Sequence, residues 1–124
     1  MRADRGESGA VDLQDLAVRL RAFARERDWE QFHAPKNLAM ALAVEAAELM
    51  ERFQWLTERQ SAELPPEELA RVAEELADVF IFTVRLADRL GVELGPAVEA
   101  KIRANAAKYP VEKCHGSHRK YTEL

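Results

Sequence analysis

Two acidic pairs stand out in this chain: Glu45 and Glu48 within LAVEAAELMERFQWL (residues 42–56), and Glu75 and Asp78 within EELADVFIFTVRL (residues 74–86). Each pair is three residues apart, just under one helical turn, so both members project from one face of a helix. Leu38, Leu42, Glu45 and Leu49 are spaced by four, three and four residues, which puts Glu45 on a stripe where leucine belongs. A lone carboxylate among apolar side chains costs several kcal/mol unless it is paired, protonated or bound to a metal. Glu48 lies one turn further on at the edge of that stripe, so the two carboxylates can converge on one point beside the helix. Their mutual repulsion makes a cation a sensible guest. Four carboxylates with no histidine among them form a hard, oxygen-only donor set that suits Mg²⁺ or Mn²⁺ better than zinc or copper. Mg²⁺ keeps waters and bridges to phosphate, so the expected ligand is a nucleotide or another phosphorylated small molecule.

The second pair has a plainer reading. Leu69, Ala73, Leu76, Phe80 and Thr83 form a stripe on the opposite side of its helix, so taken alone Glu75 and Asp78 would face water. However, Ile81 and Phe82 follow on the acids' own side and VFIFTV is apolar all round, so the acidic face leads into surface that must be covered. Competing chemistries fit less well. A di-iron bundle needs Glu-x-x-His motifs in mid-helix. Here Glu30-x-x-His33 and Glu112-x-x-His115 lie beside Pro35 and Pro110, at segment ends. Ser8, Ser61 and Ser117 fall in polar loops or tails without the strand-turn-helix setting of a hydrolase nucleophile.

The elements that must position these groups read as helices. Residues 1–11 are a polar flexible leader, residues 12–109 a helical catalytic domain, and residues 110–124 an irregular tail without sustained periodicity. Leu13, Leu16, Leu20 and Phe23 mark a first amphipathic helix capped by Asp12. DWEQFHAPKN breaks the period, and Pro35 suits the first turn of the second helix. Pro65 and Pro66 start a third, from about Glu67 to Leu90, which Gly91 stops; Gly95 and Pro96 open a fourth, which Pro110 closes. No strand pattern appears, and the expected fold is an all-α four-helix bundle.

At 124 residues the chain is long enough for one domain but short for two independent cores. No stretch approaches the ~20 apolar residues of a membrane span, and MRADRGESGAVD lacks the apolar core of a signal peptide, so a cytoplasmic protein without membrane association is expected. The single cysteine, Cys114, has no internal partner, which fits a reducing compartment. A net charge of −4 argues against a broad face for a nucleic-acid polymer, while one local basic cluster would suffice for a small anion. The third helix is apolar on more faces than one small bundle can cover, which points to a homo-oligomer.

Glu45-x-x-Glu48 followed by Glu75-x-x-Asp78 resembles the metal motif of the all-α MazG-like nucleotide pyrophosphohydrolases. ERDWEQFHAPKNL (26–38), ELMERFQWL (48–56), EELADVFIF (74–82) and RKYTEL (119–124) are similar to that superfamily's dCTP pyrophosphatase group. The resemblance implies Mg²⁺-dependent hydrolysis of a deoxycytidine triphosphate to the monophosphate and pyrophosphate by a homotetramer. It implies that Glu45, Glu48, Glu75 and Asp78 are the catalytic metal ligands, and that Trp29 to His33 together with Trp55 hold the nucleoside. The residue chemistry agrees: Trp29, Phe32 and Trp55 offer flat apolar surface for stacking, and Gln31 and His33 offer polar groups at a base edge. For the tryptophans, ordinary core packing is the plain alternative. Where members of that group carry a tyrosine and a histidine near the nucleoside, this chain has Phe82 and Leu20, each without the polar contact. Lys101, Asn105 and Lys108 share a helix face opposite Val98 and Ile102; the family resemblance assigns Lys101 and Asn105 to phosphate, with Lys36, Arg119 and Lys120 as further candidates. Glu48 is the candidate base for an attacking water. A broader (d)NTP or dUTP pyrophosphohydrolase, and a non-enzymatic helical interaction module, are the alternatives.

Overall fold

The computed structural model describes residues 11–124; the leader expected at residues 1–11 lies, but for Val11, outside the described residues. Those described contain helices and turns and no strand. In chain order they are α1 (Leu13–Glu26), a 3₁₀ turn (Glu30–Phe32), α2 (Pro35–Glu51), α3 (Glu58–Ala62), α4 (Pro66–Leu90), α5 (Leu94–Lys108), α6 (Val111–Cys114) and a final 3₁₀ turn (Tyr121–Glu123). The four long helices are the four expected. Among the described residues, those from 11 to 92 form one compact unit and Glu93–Leu124 a second.

Helix boundaries follow the local chemistry. Asp12 caps α1, its carboxylate accepting the Asp15 N–H at 2.9 Å. Pro35 and Pro66 occupy the first turns of α2 and α4, where a missing N–H costs nothing. Helix α4 ends where Gly91 turns left-handed at φ 70°, and the Val92 N–H closes back onto the Ala87 carbonyl at 2.8 Å. Helix α3, which the periodicity did not reveal, rests on a capping box between Thr57 and Gln60. Ser61 therefore sits in a helix, not a loop, its hydroxyl donating to the Glu58 carbonyl at 2.6 Å. The tail likewise contains α6 and the 3₁₀ turn, with Tyr109 and Tyr121 edge to face at 6.1 Å.

In the first unit α4 is the central element, with its largest contact to α2 and a smaller one to α1. Leu38 is 1 % exposed, and Leu42, Glu45 and Leu49 follow it half-buried along the covered face of α2. On α4 the covered residues are Val72, Val84, Arg85 and Ala87, with Glu75 and Asp78 half-buried between them. The stripe Leu69, Ala73, Leu76 and Phe80, expected to be this helix's core face, is exposed in the single chain. The acids turn towards α2 because that is where the rest of α4's covered surface points.

A polar clamp joins α1 to α4. Asp88 receives Arg21 of α1 through both carboxylate oxygens, at 3.1 and 2.6 Å, and also accepts Arg85 Nη1 at 3.1 Å. Arg21 holds the Asp88 carboxyl below the usual carboxylate range, against the opposing effect of burial. Arg85 is 3 % exposed and is the only charged residue buried to that degree among those described.

Candidate active site

Glu45 and Glu48 leave α2 one turn apart, and Glu75 leaves α4 opposite them. A carboxylate oxygen from each lies within 4.8 Å of the other two. Asp78 stands outside that cluster, although its negative charge acts on both Glu45 and Glu75. Glu48 is exposed, Glu45 and Glu75 half-buried. One oxygen of Glu45 and one of Glu75 are shielded from solvent and have no hydrogen-bond donor. Shielded acceptors of this kind normally find partners, and leaving one unmade is costly.

The surroundings of both groups favour the protonated form. Glu45 is pushed up to about 7, first by sharing a hydrogen bond with Glu48, then by burial and by the charges of Glu48, Asp78 and Glu75. Burial, then the Glu48 charge, raises Glu75, and the Arg52 guanidinium partly offsets this. Arg52, four residues after Glu48, is a cation that the sequence pattern did not single out; it pairs with Glu68 at 3.2 Å. A divalent cation would satisfy these orphaned oxygens. The all-oxygen donor set fits a hard ion such as Mg²⁺ or Mn²⁺.

The residues expected around a nucleoside occupy the segment between α1 and α2 and the end of α2. The chain leaves α1 through Asp28 at φ 54°, a left-handed conformation that aspartate tolerates, and the Trp29 N–H returns to the Ala24 carbonyl at 2.8 Å. The Gln31 side-chain amide braces this turn, donating to the Asp28 carbonyl at 3.0 Å and to its carboxylate at 3.1 Å, so of its polar atoms only the oxygen is left over for a ligand. Trp29 meets Phe23 edge-on at 5.8 Å. Phe32 is exposed, and Trp55 is 86 % exposed, which removes core packing as the explanation for it. Lys36 is exposed and Phe82 half-buried. Lys101 and Asn105 are exposed on α5, within the second unit.

His33 is held by residues that the sequence pattern did not suggest. Its Nδ1 accepts Arg85 Nε at 3.1 Å, and its carbonyl accepts Arg89 Nε at 3.0 Å. Glu30 Oε2 lies 3.9 Å from Arg85 Nη2. Both members of the Glu30-x-x-His33 motif thus face Arg85. The only signal in the sequence is that Arg85 and Asp88 stand three apart directly after the apolar run VFIFTV.

Because folding strengthens the hold of Glu45 on its proton, this group favours the folded state while protonated. Its contribution is complete below the ordinary value of 4.5 and is lost as pH rises through about 7. Metal-free wild type should therefore lose a few °C of Tm between pH 5 and pH 8 through this cluster. Glu45→Gln should flatten that loss, Mg²⁺ should restore wild type but not the variant, and turnover should be abolished. Thermal melts in EDTA and in Mg²⁺ check this; a variant melting well below wild type at pH 8 without metal would make the acids structural.

Known proteins resemble this chain over most of its length. The dCTP pyrophosphatase 1 of Mus musculus is 48% identical over 114 residues, covering 90% of this chain and 67% of that protein. That of Homo sapiens is 46% identical over the same span. A pyrophosphatase from Archaeoglobus fulgidus, known from its crystal structure, superposes with a TM-score of 0.75 at 36% identity, covering 82% of this chain and 94% of that one. Residues 40–124, which carry all four acids, match the MazG-like family, and the chain belongs to it.

Proposed function

We propose that this protein hydrolyses dCTP, or a modified dCTP, to dCMP and pyrophosphate with Mg²⁺ or Mn²⁺ in the cytoplasm, removing the nucleotide before it enters DNA. The observation that carries the proposal is the meeting of Glu45, Glu48 and Glu75 within 4.8 Å with two oxygens unpartnered. Identity of 46–48% to dCTP pyrophosphatases over most of the chain supports the substrate. The bound cation supplies charge neutralisation on the triphosphate and a water for in-line attack at the α-phosphorus. Glu45, Glu48 and Glu75, which meet, would hold it together with the neighbouring Asp78, and Glu48, the exposed member of the cluster, would also take the proton of the attacking water. Trp55 and Trp29 stack on the base while Phe32, Gln31, His33 and Phe82 border it. Lys101, Asn105 and Lys36 contact the phosphates.

A broader (d)NTP or dUTP pyrophosphohydrolase is the second reading, favoured by one observation: Phe82 and Leu20 bring no polar atom to the nucleoside. Turnover across the canonical and 5-substituted nucleoside triphosphates, with pyrophosphate as the measured product, separates the two. Preference for cytosine nucleotides by tenfold or more in kcat/KM is expected; equal rates on all bases would favour the broader enzyme.

Trp55→Ala should raise KM for dCTP by roughly tenfold or more, since one stacked aromatic face is worth ~1–3 kcal/mol. At 86 % exposure the same change should shift the denaturation midpoint by less than ~0.5 kcal/mol. Unchanged KM in this folded variant would remove Trp55 from the site.

We also propose a homotetramer built as a bundle of MazG-like type. Its support is the exposed apolar surface of α4 and α2, including Leu69, Leu76, Phe80, Met40 and Val44, beside only five buried apolar residues among those described. Sedimentation at micromolar concentration should give four chains per particle, and a monomer would contradict the assembly.

A further inference from the structure

His33 is fixed by more partners than a loop side chain needs for its own stability. Arg85 Nε reaches its Nδ1 at 3.1 Å and Arg89 Nε its carbonyl at 3.0 Å. Arg85 is in turn oriented by Asp88, at 3.1 Å from Nη1, and Asp88 is held by the fork of Arg21 from α1. A guanidinium carries only donors and does not lose its proton in a protein. The nitrogen it addresses must therefore accept, so Nδ1 bears no proton, and a neutral ring then carries its single proton on Nε2. Among the described residues nothing hydrogen-bonds to Nε2. Burial and then the charges of Arg85 and Arg89 lower the affinity of the ring for a second proton, opposed only by Glu30.

We propose that Arg85 is a positioning residue for substrate selection: it locks His33 as a neutral ring with its proton on Nε2, so that the ring presents a single hydrogen-bond donor to an acceptor atom of the bound nucleoside. This rests on the reading of the segment between α1 and α2 as a nucleoside site. The consequence is discrimination by polarity. An acceptor at that point of the nucleoside is bound, whereas a donor there meets another donor and is rejected, because its partner is left unmade. The clamp that joins α1 to α4 is thereby also the device that sets the tautomer, which accounts for an arginine being buried there at 3 % exposure. A purely structural clamp would be complete with Arg21, Arg85 and Asp88 and would need no bond to His33.

Two measurements on the full chain test this. Long-range ¹H–¹⁵N spectra of metal-free wild type at pH 7 should show His33 with an unprotonated Nδ1 and a protonated Nε2. The opposite tautomer, or a doubly protonated ring, overturns the proposal in the unmodified protein. Arg85→Met should abolish that signature and raise KM for dCTP about tenfold, with kcat within about twofold, and Arg85→Lys should recover part of both. A folded Arg85→Met protein with an unchanged His33 signature or unchanged KM overturns it. If Arg85→Met does not fold, the wild-type spectrum still decides the tautomer, and Arg85→Lys decides KM. The acceptor is a base carbonyl or nitrogen, or the sugar 3′ oxygen. A KM penalty that persists with 2′,3′-dideoxy-CTP assigns it to the base, and one that vanishes assigns it to the sugar. Absence of wild-type turnover on every nucleotide overturns the functional reading and the donor's role with it, whereas normal wild-type turnover with an indifferent Arg85→Met overturns this inference alone.

Discussion

Three carboxylates brought within 4.8 Å of one another repel, and the first unit is organised around keeping them there. The repulsion is borne by the contact between α2 and α4, the largest between helices of this unit, with Leu38, Leu42 and Leu49 on the covered side of α2. Hydrophobic burial is non-directional and would tolerate a slide of one helix along the other. The bonds that Arg85 and Arg89 of α4 donate to His33, just before α2, are directional and fix where α2 begins along α4. Together they hold Glu45 and Glu75 in surroundings that raise the proton affinity of both, with Arg52 partly offsetting this at Glu75.

The parts legible in the sequence are those whose causes are local. Glu45 on the leucine stripe, Pro35 and Pro66 at helix starts, Asp12 as a cap and Gly91 as a stop all act through neighbours a few residues away. Spacing alone therefore exposes them. The clamp is different in kind: Arg21 and Asp88 are 67 residues apart, and Arg85 and His33 are 52 apart. No periodicity records such a pairing, and on its own helix Arg85 reads as a solvated charge. Helix α4 illustrates a further limit. Its most regular apolar stripe, Leu69 to Phe80, is exposed in the single chain, while the less regular face bearing Glu75 and Asp78 is covered. A period reports that a face is apolar without saying which partner covers it.

The candidate site divides along the same line. The carboxylate cluster of Glu45, Glu48 and Glu75 was readable because single turns of two helices carry it. The proposed nucleoside side was readable only as a set of residue types, since its geometry depends on the left-handed turn at Asp28 and on the arginines of α4. Gln31 illustrates the difference: its amide, available to a ligand by composition, is committed to bracing the turn that aims Trp29.

The unequal exposure of the two tryptophans has an optical consequence. Trp55 stands almost bare at 86 %, whereas Trp29, at 45 %, rests edge-on against Phe23. An indole in water emits at longer wavelength than one screened by carbon, so the unliganded chain should fluoresce with a red-shifted component arising chiefly from residue 55. Anything that lies flat on that ring, whether a small molecule or another polypeptide, excludes water from it and moves the emission towards the blue. The molecule thus carries a built-in, label-free gauge of occupancy at the very place where its surface is least protected.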